Sequence, residues 1–183
     1  MRARLALPGL AVLAAGLLLA GKATAPRSGN PVVPEPLRAV DLRRYVGRWY
    51  EFARYDNRFE RACEAVTVDY EQRPDGLVGI VNTARRGRRS GPARVAAGRA
   101  KIVPRSGNAK WRVAFGPLLW GHYWVLDHDD DYRWAVVGEP SGKYLWILTR
   151  EAVPERAVQE LLVARARALG FDPYRLHRTA HPV

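Results

Sequence analysis

The chain has a single cysteine, Cys63, in 183 residues. No disulfide can form within it, so packing alone must hold the fold. The four histidines, His122, His128, His177 and His181, show no metal-ligand spacing. The serines lie in Gly- and Pro-containing turns, and none sits in a nucleophile elbow. No metal and no cofactor is implied. Cys63 is the one candidate nucleophile, but no His is near it in sequence and the adjacent Glu64 would raise its pKa. Acidic residues are scarce: 18 Asp and Glu stand against 30 Lys and Arg, a formal net charge of +12. Such an excess favours anionic partners, whether nucleic acid, lipid headgroups or acidic ligands.

The first 25 residues differ from the rest. Arg2 and Arg4 precede an apolar run from Leu5 to Ala20, and small residues follow at Ala23-Thr24-Ala25. That is the order of a secretory signal. The apolar run falls short of the roughly 20 residues that a bilayer-spanning helix needs. Residues 1–25 are therefore expected to be a signal peptide, with an uncleaved anchor as the alternative. Pro26 disfavours cleavage after Ala25, and cleavage after Ala23 is the rival. "LAGK" (19–22) is similar to a lipoprotein box with Lys22 where the acylated Cys would stand. Without that thiol, lipoprotein anchoring is not expected. Export to the periplasm or cell envelope makes nucleic acid the least favoured anionic partner.

Residues 26–39 carry four prolines and read as an extended linker. From there the domain is expected to run over 40–183. Short runs rich in Val, Tyr, Trp, Phe and Ile recur between turn residues. Strands are expected over about 48–56, 64–72, 77–84, 93–103, 109–115, 121–127, 132–138 and 143–149. "RPDG" (73–76), "RSGN" (105–108) and "PSGK" (140–143) have hairpin-turn composition. Eight sequential hairpin strands predict an all-β, up-and-down antiparallel barrel. The period then changes to helical over about 154–169, with Pro154 near the first turn and a stop at Gly170. Val158, Leu161, Leu162, Ala168 and Leu169 form the expected stripe. The residues after it predict a short strand or a tail.

Alternation separates the faces. Val66, Val68 and Tyr70 oppose Thr67, Asp69 and Glu71, and Trp111, Val113 and Phe115 oppose Lys110 and Arg112. The first, sixth, seventh and eighth strands are apolar on both faces and need two dry environments. The helix is therefore expected to cover the outside there. The fourth strand is small instead, from Val95 to Ala100. Small residues on one wall and large aromatics on the other favour an internal space, since an eight-stranded barrel can be filled or can hold one small ligand.

At "GRW" (Gly47, Arg48, Trp49), with "DDDYRWAVVGEPSGKYLWILTR" downstream, the sequence resembles the lipocalin family. It looks like the bacterial lipocalin group, whose relatives include plant temperature-induced lipocalins and apolipoprotein D. The resemblance covers roughly residues 40 to 175. It implies that Trp49 closes the narrow end of the barrel with Arg150 stacked over it, so Gly47, Trp49 and Arg150 form a structural signature. It also sets strand parity. Trp49 and Glu51 then point inward, and the expected pocket lining is Ala53, Gly98, Ala100, Trp111, Val113, Phe115, Tyr123, Val125, Ala135, Val137, Tyr144, Trp146 and Leu148. Tyr50, Phe52 and Trp134 fall outside, toward the helix. The implied function is binding and storage or transport of a small hydrophobic ligand, a fatty acid or lysophospholipid, at the bacterial cell envelope.

Other features keep two readings. Arg85, Arg86, Arg88 and Arg89 form either a solvated hairpin tip or a contact for an anionic membrane surface or headgroup. Basic side chains at the rim would favour a carboxylate or phosphate. The acids of "DHDDDY" (127–132) lie in a tight turn, where neighbours point apart, and no metal site is expected. Glu51 is either a structural hydrogen-bond partner or a ligand contact. An enzyme acting on a lipophilic substrate within the barrel, through Cys63, is the rival function.

Overall fold

Alternating strands joined by hairpin turns give a closed sheet. The computed structural model describes residue 30 and residues 32–182; the expected leader, with Lys22, lies outside these. A one-turn helix α1 (Leu42–Tyr45) precedes β1 (Gly47–Tyr55), β2 (Cys63–Gln72), β3 (Val78–Arg86), β4 (Ala93–Ile102), β5 (Lys110–Ala114), β6 (Gly121–His128), β7 (Trp134–Gly138) and β8 (Leu145–Thr149). All eight expected strands are present, their ends within two residues of the sequence reading. Each pairs antiparallel with the next, and β1 pairs with both β8 and β2 to close the barrel. Helix α2 (Arg156–Ala168), a 3-10 turn at Pro173–Arg175 and a short ninth strand β9 (Leu176–Arg178) follow.

The core has two parts. Inside the barrel, Tyr45, Trp49, Val68, Tyr70, Ile80, Trp111, Val125, Val137 and Leu148 pack together. Outside it, Phe52, Trp124, Trp134, Val136 and Ile147 pack under Leu162 and Ala166 of α2. The helix thus covers the strands that are apolar on both faces. Its stripe is Val158, Leu162, Ala166 and Leu169. Leu161, expected in that stripe, is 41% exposed, and Ala168 is exposed too, because both lie about 100° around the helix from a core-facing neighbour. Tyr50 lies outside as expected, but against His181 of the C-terminal tail rather than the helix.

The narrow end is closed by side chains. The Arg150 guanidinium stacks 3.8 Å from the centre of the Trp49 ring, a contact worth about 1–2 kcal/mol when partly desolvated. It also donates to the carbonyls of Arg44, Tyr45, Val46 and Arg48. These include the free carbonyls at the end of α1, which an arginine is suited to cap. Gly47 sits at φ +94, a left-handed conformation that disfavours any side chain. Residues 32–39 are strapped to the barrel: Leu37 N–H donates to Leu126 O at 2.8 Å, and Glu35 pairs with Lys110 at 2.5 Å.

β1 contains a bulge between Glu51 and Ala53. Before it, Trp49 and Glu51 face inward. After it, Ala53 pairs with outward-facing Ile147, and Arg54 pairs with inward-facing Trp146. One extra residue reverses the parity of everything beyond it. The bulge also divides the partners of β1. Gly47–Tyr50 pair with β2, whereas Ala53–Tyr55 pair with β9. The C-terminal tail therefore fills the gap between β1 and β2 at the wide end, where Ala65 N–H donates to Ala180 O at 2.8 Å.

Candidate functional site

The wide end of the barrel opens into a cavity. Its apolar wall comes from Val66, Val68 and Tyr70 on β2, Ile80 and Ala84 on β3, Val113 on β5, and Trp146 and Leu148 on β8, with Phe115, Tyr123 and Tyr144. The cavity volume is about 90 Å3, a narrow space below the usual range of drug-sized sites.

Its floor is polar at one spot. The Tyr123 hydroxyl bonds those of Tyr45 at 2.9 Å and Tyr70 at 2.6 Å, and Trp111 stacks on Tyr123 at 5.2 Å. Burial pushes all three tyrosines above their ordinary pKa, so the hydroxyls stay neutral.

A second polar group lies in the wall. Glu51 is 2% exposed. It accepts from Arg54 at 2.7 Å and from the Thr179 hydroxyl, while Arg54 also donates to the backbone carbonyl of Glu60 at 3.0 Å. Burial pulls the Arg54 pKa down, but its pairing with Glu51 outweighs this and leaves it raised. Glu60, in the β1–β2 loop, accepts from Asn57 at 2.6 Å and from the Trp146 indole at 2.9 Å. Burial, and then the charge of Glu51, push its pKa up to about 7. Asn57 and Asn82 complete the polar lining.

A lipocalin-like domain profile matches residues 40–181. The chain is a lipocalin. Temperature-induced lipocalin-1 of Arabidopsis thaliana is 37% identical over 157 residues, which cover 79% of this chain and 81% of that protein. The outer membrane lipoprotein Blc of Escherichia coli K12 is 36% identical over 162 residues, 88% of this chain and 89% of that protein. Insecticyanin from the tobacco hornworm Manduca sexta superposes with a TM-score of 0.66 at 19% identity, over 84% of this chain and 86% of that one. At that identity the likeness shows the fold alone. Family membership gives this lipocalin a small-molecule binding or transport role.

Of the residues expected to line the pocket, the lipocalin brings Val113, Phe115, Tyr123, Tyr144, Trp146 and Leu148 to the cavity surface. Ala100, Trp111, Val125, Ala135 and Val137 are packed in the barrel core and are not among the lining residues. Gly98 is covered by Phe115; a Cβ there would sit 2.8 Å from the Phe115 ring. Ala53 is outside the barrel, in the cluster under α2, because the β1 bulge turns it around.

The expected site set omitted the β2 and β3 walls and the β1–β2 loop. Alternation had already turned Val66, Val68 and Tyr70 inward. The same alternation in "VGIVNTARR" places Ile80, Asn82 and Ala84 there. Asn57, Phe59 and Glu60 carry no such periodic signal, since they belong to a connection.

Cys63 does not line the cavity. It is fully buried against Val66 and Ala84, and burial with the charge of Glu60 raises its pKa, away from the thiolate form. The acids of this stretch are spread over four arginines, with Arg38 shared by two of them: Asp127 pairs with Arg38 and Arg165, Asp129 with Arg133, Asp130 with Arg38 and Asp131 with Arg44. No group of three or more potential ligands among the described residues could hold a metal ion.

Proposed function

We propose that this lipocalin holds a single-chain lipid, a fatty acid or lysophospholipid, and stores or carries it at the bacterial cell envelope. The observation that carries this reading is the narrow cavity, lined mostly by apolar side chains, with polar groups at the tyrosine floor, the Glu51–Glu60 patch and Asn82. A narrow slot suits one acyl chain better than a bulky ring system. The relatives named as outer membrane lipoproteins favour the envelope as the place.

The wide end has the features of a lipid-facing surface. Successive hairpins of an up-and-down barrel alternate between its ends, so the β1–β2, β3–β4, β5–β6 and β7–β8 loops share one rim. Arg85, Arg86, Arg88 and Arg89 are exposed there, and Leu118 and Leu119 of the β5–β6 loop are 84% and 62% exposed. Basic residues near an anionic surface contribute about 1 kcal/mol each. On this reading the rim docks on anionic lipid while the cavity mouth faces the bilayer.

Native mass spectrometry of gently purified protein tests the reading. Co-purified single-chain lipid is expected, with quenching of tryptophan fluorescence when lipid is added back, because Trp146 lines the cavity. A protein that carries no lipid and shows no response to added lipid would overturn it.

A further inference from the structure

The cavity lining contains two carboxylates, Glu51 and Glu60, and no Lys or Arg. The basic side chains expected to favour a carboxylate or phosphate stand at the rim, and none lines the cavity wall. The two carboxylates differ in their partners. Glu51 is committed to Arg54 and Thr179. Glu60 is not matched by a cation in the same way. Both hydrogen bonds to its carboxylate come from neutral donors, Asn57 and Trp146, and both go to Oε2. Its Oε1 accepts from no described residue. The nearby guanidinium of Arg54 reaches the Glu60 backbone carbonyl, while its bond to a carboxylate goes to Glu51.

Aromatic rings cluster beside this carboxylate: the Trp146 indole donates to it, Tyr144 stacks on Trp146, and Phe59 precedes it in the chain with the Arg58 guanidinium 4.8 Å from the centre of its ring. Tyr144 and Trp146 stack at 5.8 Å with planes 7° apart, and the Phe59 ring lies 6.4 Å from Tyr144. Ring faces attract a cation through their quadrupole, and a carboxylate beside them adds charge. An ionised ligand carboxylate at the same place would meet the like charge of Glu60.

We propose that Glu60, with the rings of Phe59, Tyr144 and Trp146, forms a subsite for an ammonium group, so that the cavity selects single-chain lipids bearing an amine or quaternary ammonium over fatty acids. This rests on the cavity being a lipid site. The charged and titratable groups that act on Glu60 are Glu51 and Arg54 from β1. Asp56, just past β1, binds the same guanidinium at 3.6 Å, and Cys63 and Tyr70 of β2 feel the Glu60 charge in turn. From β8 only the neutral Trp146 bonds to it. The raised pKa of Glu60, about 7, agrees with a carboxylate that lacks its cation. Seating an ammonium would draw the proton off, so amine binding should strengthen as pH rises through this range.

The experiment uses a chain-matched set, an alkylamine, an alkanol and an alkanoate, below their micelle concentrations, on delipidated protein by tryptophan quenching. At about pH 8.5, where an alkylamine is protonated, the amine is expected to bind about tenfold tighter than the alkanoate, with the alkanol between them. At about pH 5.5, where Glu60 is neutral, the order should compress to within about threefold. Glu60→Gln should compress it at both pH values, the ratio being read against the alkanol in each protein. A lysophospholipid ending in ethanolamine, set against one ending in glycerol, identifies the source. Preference for the former assigns a lipid headgroup, and its absence with the alkylamine preference intact assigns a simple amine. An alkanoate that matches the amine at about pH 8.5 overturns the proposal, as does an order unchanged in Glu60→Gln. If even the alkanol fails to bind, the lipid-site reading itself falls, and the subsite with it.

Discussion

Arg54 explains how Glu51 can be buried. A carboxylate in an apolar wall must be paired or neutralised, and the guanidinium three residues on supplies the pair at 2.7 Å. Glu60 has no such ion pair among the described residues, and burial and the charge of Glu51 push its pKa up to about 7. Between the ordinary value of 4.5 and about 7, the folded chain holds this proton while the unfolded chain has lost it. Stability from this group therefore falls as pH rises through that window, is unpenalised below it and fully penalised above it. Glu60→Gln removes the ionisation and keeps an acceptor for Asn57 or Trp146. In delipidated protein the variant should match the parent near pH 4.5 and exceed it above pH 7. The gain is on the order of 3 kcal/mol, or about 6–12 °C in midpoint for a chain of this size. Thermal unfolding across that range checks it, and an offset that does not change with pH would refute the assignment.

At the scale of elements, most of the barrel was legible because alternation and turn chemistry are local signals. β2 and β5 show one wet face and one dry face, and "RPDG" and "PSGK" fall at turns between strands. The bulge in β1 was not legible. "WYEFARY" reads as one unbroken strand, apolar on both faces, and nothing in its letters marks the extra residue that turns Ala53 outward and Arg54 inward. The cause is distant in sequence: β9 takes the edge of β1 over Ala53–Tyr55, and Thr179 and His181 bond to Glu51 at its side-chain carboxylate and backbone carbonyl. The tail thus completes the wall at the wide end. Deleting residues 176–183 should leave Glu51 and Arg54 facing a gap between β1 and β2. A loss of about 3–5 kcal/mol is expected, the cost of disturbing a buried ion pair. Amide hydrogen exchange should rise first at Ala53–Tyr55 and Ala65, with Gly47–Tyr50 protected by their pairing to β2. Unchanged exchange at Ala53–Tyr55 would show that the tail is dispensable.

At the scale of the molecule, the net charge of +12 has a direction as well as a size. The acidic turn between β6 and β7 lies at the narrow end, where Arg38, Arg44 and Arg133 pair with it. The wide rim has basic residues with fewer such partners: among the described residues, Arg85 and Arg89 bond to backbone carbonyls, of Gly91 and His181. Trp120 on the same rim sits under Lys101 and Arg99 at 4.5 and 5.2 Å. An anionic bilayer would therefore orient the barrel with its mouth toward the lipid, and Leu118 and Leu119 would meet the acyl boundary. The two contributions can be separated. Replacing Arg85, Arg86, Arg88 and Arg89 with glutamine should weaken binding to anionic vesicles by about two to three orders of magnitude at low salt, at about 1 kcal/mol per charge. Raising salt should erase the difference, since the Debye length falls to about 8 Å at physiological strength. Replacing Leu118 and Leu119 with serine should instead lower affinity by a factor that salt leaves nearly unchanged, because apolar burial is not screened. Vesicle co-sedimentation with and without anionic lipid reads both. If all three proteins bind anionic and zwitterionic vesicles alike, the rim is a solvated hairpin edge and the lipid reaches the cavity without a docked state.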